Sequence, residues 1–194
     1  MHTERGLRPD LKWTTLLSPP GDAGRSANES NPMTEHDPFN EPETAHPRAR
    51  ELMREPLFWD CVDEAAPFGS DEGSDAYYEW RSWRSENPDA PLTDCFDWIL
   101  DGNLNAYNET LASDAQVEID LANPDDALLS EQFDMFTLDT TIIATGLGQL
   151  MDEGKIDTDA KPFIHVAIKR QRNSKAGHYN SATLDAVARV VDES

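Results

Sequence analysis

The chain has 194 residues, 38% of them apolar, and a formal net charge of −22. That length suits one domain with a tail, or two small ones. A charge of this sign repels nucleic acid and anionic membrane, which excludes direct binding to either as the expected role, and two cysteines exclude a disulfide framework.

Residues 1–41 read as a disordered N-terminal extension. Ser18-Pro-Pro-Gly21 leads into Gly24, Ser26, Asn28, Ser30, Asn31 and Pro32, a composition too polar to offset chain entropy by burial. Met33 is a workable start, so residues 1–32 are either an upstream extension or a real flexible arm. The run Leu11-Lys-Trp-Thr-Thr-Leu-Leu17 is too short and too polar for a secretion signal. No stretch approaches the roughly 18 apolar residues that span a bilayer. The expected location is the cytoplasm.

The domain is expected over residues 42–194. Pro47 suits the first turn of a helix over 48–54, and Pro56 interrupts it. A second helix is predicted over 57–66, ending at Pro67. Phe58, Trp59, Val62, Tyr77, Trp80 and Trp83 are core candidates, and Cys61 and Cys95 are expected as buried, reduced thiols. Ser70 caps a helix that runs to Glu86, with Asp71 and Glu72 where the helix dipole favours acids. Asp71, Asp75, Glu79, Ser82 and Glu86 make an acidic stripe on it, while Tyr77, Trp80 and Arg84 make another row.

Residues 91–100 are the next predicted helix, with Cys95, Trp98 and Ile99 on one face. Shorter helical patterns follow over 105–112, 115–121 and 124–131. Residues 133–151 are the most apolar segment. Phe136, Leu138, Ile142, Ile143, Leu147, Leu150 and Met151 lie nearly all round a helix, which places it centrally; a strand over 140–143 is the alternative. Ala144, Gly146 and Gly148 permit close neighbours, and Gly154 ends the segment. A helix over 159–172 turns Phe163, Ile164, Ala167 and Ile168 inward and places Lys169, Arg170 and Arg172 at its dipole-matched end. A turn over 177–180 precedes a last helix capped by Ser181. No long alternating pattern appears, so the expected fold is all-α: a compact multi-helix domain with a central apolar helix.

No motif for a reaction emerges. Gly146-Leu-Gly148 lacks the third glycine and the preceding strand of a dinucleotide site. The acids from Asp71 to Glu79 crowd a turn, but the sixth and twelfth positions of a calcium loop hold Ala76 and Ser82. The five histidines form no metal-binding pair, and His165 reads as a packing residue. No serine sits in a nucleophile elbow. No cofactor, metal or catalytic residue is therefore expected.

The acidity is concentrated. Between Asp60 and Asp159 the cations are Arg81, Arg84 and Lys155, and that stretch carries the whole imbalance. Carboxylates one helical turn apart lie within reach of successive cationic side chains. The expected function is a non-enzymatic acidic binding domain that engages a basic protein partner, as an immunity protein or inhibitor of a basic toxin or nucleic-acid-binding protein. Its partner-binding residues are Asp71, Asp75, Tyr78, Glu79, Asp94, Asp97, Asp101 and Tyr107. The alternatives are a small hydrolase or metal-dependent enzyme built on Asp71, Asp75 and Glu79, and a surface that is acidic for solubility alone.

Glu43-Thr-Ala-His-Pro-Arg-Ala-Arg50, Phe58-Trp-Asp-Cys-Val-Asp-Glu64 and Ala66-Pro-Phe-Gly-Ser-Asp-Glu-Gly73 are distinctive. So are Tyr77-Tyr-Glu-Trp80, Tyr107-Asn-Glu-Thr-Leu111, Phe136-Thr-Leu-Asp139, Gly148-Gln-Leu150, Asp152-Glu-Gly154 and Lys161-Pro-Phe-Ile-His-Val166. Through them the chain resembles the YfeS-like family of uncharacterised bacterial proteins, over about residues 42–194. The resemblance implies a bacterial cytoplasmic protein and carries no activity with it. Some of that family are associated with WGR domains; this chain contains no Trp-Gly-Arg triplet, so no nucleic-acid role is carried over.

Overall fold

Helix α5, Met135–Glu153, is the element around which the chain folds, because every residue from Leu138 to Met151 is buried. The computed structural model describes residues 37–174 and 179–194. Asp134 caps α5 by accepting the Thr137 N–H at 2.8 Å, and Gly154 closes it in a left-handed conformation, φ 74°. Each Leu or Ile buried along α5 contributes about 1.5–3 kcal/mol.

Six further α-helices surround it among the described residues. They are α1 (Pro47–Leu52), α2 (Asp71–Glu86), α3 (Leu92–Ile99), α4 (Asp114–Ala122), α6 (Lys161–Asn173) and α7 (Ser181–Glu193). Helices α2 and α6 make the broadest contacts with α5, α1 and α3 touch it, α4 packs on α6, and α7 packs on α6. The described residues contain no strand, which excludes the strand alternative at 140–143. The close approaches fall where expected. A Cβ on Gly148 would stand 3.0 Å from the Tyr77 ring, and one on Gly146 would stand 2.3 Å from Ile164.

Several expectations are corrected. Residues 57–66 form a single 3-10 turn, Pro56–Trp59, and then an irregular loop. Asp60 explains the change: its Oδ1 accepts the N–H groups of Val62 and Asp63, at 2.8 and 2.9 Å, so those donors are turned into a side-chain-capped turn. Val62 is consequently 81% exposed and Cys61 is exposed, while Cys95 is buried as expected. The patterns at 105–112 and 124–131 reduce to the 3-10 turns Leu104–Ala106 and Pro124–Asp126. Asn180 caps α7 by accepting the Thr183 N–H, one residue before the expected Ser181.

Order is already present ahead of Pro42. Phe39 packs against Phe68 and Tyr77, with ring centroids 5.1 and 5.4 Å away. Residues 1–36 of the expected arm, with the Met33 start, and residues 177–178 of the expected turn lie outside the described residues. Among those described, no helix is long and apolar enough to cross a membrane.

Candidate functional site

Ser70 accepts the Gly73 N–H and starts α2, whose sequence then divides its surface between core and solvent. Tyr77 and Trp80 are buried. On the opposite side Asp71, Asp75, Tyr78 and Ser82, spaced four, three and four apart, form one exposed row, with the half-buried Glu79 beside it. Tyr78 is 47% exposed, and its ring rests edge-on against Tyr77 at 5.4 Å, which holds it in place.

The row is electrostatically strained. Partial burial, then the charges of Asp71 and Glu72, push the Asp75 carboxyl above its ordinary range. Burial and then Asp75 do the same to Glu79. A cation placed between them relieves that repulsion. The Tyr78 hydroxyl is also raised, first by burial and then by Asp37, with Arg81 opposing and Cys61 adding. Asp37 and Cys61 therefore belong to the same neighbourhood, and Val62 follows Cys61 in the chain.

The other expected partner residues divide. Asp94 is exposed in the first turn of α3. Asp97 is half-buried, and its Oδ1 accepts the Leu104 N–H at 3.2 Å while its carbonyl accepts the Gly102 N–H at 2.9 Å. Asp101 is exposed in a left-handed conformation, φ 49°, within that same turn. Both residues shape the loop after α3. Tyr107 is a correction: it is fully buried, and its hydroxyl donates to Asp139 Oδ1, so it offers nothing to a partner.

Tyr107 leads instead to a cluster that the sequence reading missed. Asp139 on α5 and Arg170 on α6 are 0% and 1% exposed, and Arg170 Nε donates to both oxygens of Asp139, at 2.9 and 3.2 Å. Arg170 Nη1 reaches Asp120 of α4 at 3.3 Å, Gln171 Nε2 donates to Asp139 Oδ2 at 3.1 Å, and Gln116 Nε2 donates to Asp120 Oδ1 at 2.8 Å. Two carboxylates thus share one guanidinium out of contact with water. Burial raises the Asp139 carboxyl to about 6, against the lowering effects of Arg170, Tyr107 and Gln171. Arg170 does not serve the helix dipole at the surface, as the pattern suggested; it ties α4, α5 and α6 together.

A second, wetter cluster sits at the far end of α5. Tyr77 donates to Asp152 Oδ1 at 2.9 Å, Arg81 Nε lies 3.4 Å from Asp152 Oδ2, and Arg84 Nε lies 2.7 Å from Glu153. Arg84 also stacks 4.5 Å over the Trp80 ring and donates to three carbonyls beyond α2. These contacts anchor α2 on α5 and so fix the direction in which the Asp71–Ser82 row faces. Among the described residues no three His, Cys, Asp or Glu side chains converge to hold a metal ion.

The chain is 29% identical over 129 residues to the "Uncharacterized protein YfeS" of Escherichia coli (strain K12). The match takes in 66% of this chain and 51% of that protein, so the chain spans about half the length of the curated relative it matches. The resemblance to the YfeS-like family read from the sequence thus extends to this curated protein. No family model matches the chain, and no solved structure matches it.

Proposed function

We propose that the chain is a non-enzymatic, acidic protein-binding domain that engages a basic protein partner, in the manner of an immunity protein or inhibitor. One observation carries this reading: Tyr78 stands exposed and braced within the row of Asp71, Asp75 and Ser82. Carboxylates that repel one another speed the approach of a cationic surface, and a rigid tyrosine at the centre adds affinity once the two meet. The net charge of −22 extends the attracting field beyond the row itself.

Affinity purification from the source cells, comparing the wild type with two variants, tests the reading. The wild type is expected to retain one cationic protein at low salt and release it as salt rises. With that protein purified, Asp75→Lys combined with Glu79→Lys is expected to weaken binding by roughly tenfold to a hundredfold, mainly through slower association. Tyr78→Ala is expected to cost about 2 kcal/mol, mainly through faster dissociation. Retention that is indifferent to both variants would remove this surface from the function.

A further inference from the structure

The geometry points to a buried proton-binding site at Asp139, in which Gln171 turns its amide to accept the proton that Asp139 takes up. Asp139, Asp120 and Arg170 leave one negative charge in surplus inside the fold. Gln171, 2% exposed, shows Asp139 its Nε2, while its own Oε1 is buried and accepts no hydrogen bond from the described residues. A buried amide oxygen without a donor costs about 1–3 kcal/mol, so the site holds an acceptor waiting for a hydrogen. A proton delivered by hydronium, which leaves as water, adds to Asp139 Oδ2 and makes it a donor toward Gln171, while Arg170 Nε keeps its shorter bond to Oδ1 at 2.9 Å. The new O–H then conflicts with Gln171 Nε2, and a half-turn of the amide brings Oε1 to meet it. No covalent bond other than the new O–H forms, and the cluster passes from one surplus charge to none.

The groups around Asp139 are consistent with this exchange. From α6 come Arg170 and Gln171, from the loop before α4 comes Tyr107, and from α4 comes Asp120 through Arg170. Tyr179, ahead of α7, reaches the neighbouring Thr140 at 3.3 Å and has Glu72 of α2 in its field. Arg81 and Arg84 of α2 engage the other end of α5, at Asp152 and Glu153, while α3 and α1 meet it near Gly146 and at Met151. Arg170 and Tyr107 both favour the ionised form of Asp139, so the burial that favours the neutral one is the opposing force.

The test is a pH titration of the full chain by NMR, following the Asp139 side-chain carboxyl carbon and the Gln171 side-chain amide. The expected result is a carboxyl midpoint near 6 rather than the ordinary 3.8, with the Gln171 amide signals moving at the same midpoint. Asp139→Asn supplies a permanent donor at that position and is expected to leave the Gln171 amide independent of pH. Should that variant fail to fold, the wild-type signals decide by themselves. A midpoint at the ordinary value, or a Gln171 amide that stays still while Asp139 titrates, overturns the proposal.

Discussion

Replacing Arg170 with methionine is expected to destabilise the fold by about 3–5 kcal/mol at neutral pH, the range for removing one partner of a buried ion pair. Methionine fills much of the same volume, so the loss is electrostatic rather than a cavity. Asp139 and Asp120, 0% and 5% exposed, would face each other's charge with no cation between them. The penalty carries a pH signature. Asp139 has a folded value raised to about 6, above its ordinary 3.8. A group raised in the folded state contributes stability that is fully present below the lower value and lost as pH rises through the upper one. Without Arg170 the upper value climbs further. The variant is therefore expected to lie closest to the wild type near pH 3.8 and furthest from it at neutrality. Urea denaturation at both pH values measures this. Adding Asp139→Leu to Arg170→Met is expected to restore part of the loss, because an apolar pair can replace a buried ionic one. A penalty equal at both pH values would mean that packing, not charge, is what Arg170 supplies.

The same residues show what could be read from the chain and what could not. Helix α5 was legible because apolar side chains all round a helix leave it no face for water, and the caps Ser70 and Gly154 act within a few residues of the groups they satisfy. The loop at 60–66 was misread as helix because helical spacing is blind to competition. Asp60 and Asp63 bind backbone N–H groups two or three residues ahead, at 2.8–3.0 Å, and draw the segment out of a helix. Tyr107 was misplaced for a different reason. Its partner lies 32 residues away, and Arg170 reaches Asp120 across 50, separations that no local pattern reports. A signal was nevertheless present. Asp139 is a carboxylate within the most apolar stretch of the chain, and such a residue requires a cation from elsewhere. Arg170 follows Ile164, Ala167 and Ile168 and is buried with them, which makes it the answering charge.

Gly73→Ala is expected to destabilise the fold by about 3 kcal/mol, at the upper end of the range for overpacking. The sign is informative because alanine is the better helix former by about 1 kcal/mol, so an exposed glycine in α2 would gain from the change. Here a Cβ would stand 2.1 Å from the Pro67 carbonyl oxygen and 3.2 Å from the Phe68 Cα. Both are backbone atoms, and no change of rotamer relieves the contact. The turn would have to move as a body, drawing the wholly buried Phe68 away from Tyr77 and Phe39. Ser74→Ala, one residue along, serves as the comparison and is expected to cost little. The displacement also separates shape from charge at the proposed surface. Val62 and Cys61 belong to the loop leading into that turn, whereas Asp71, Asp75 and Tyr78 belong to the helix. If the partner needs both, folded Gly73→Ala protein should bind more weakly while its affinity falls with salt as steeply as that of the wild type. If binding is unchanged, the helix row is the whole contact and the exposed Val62 lies outside it.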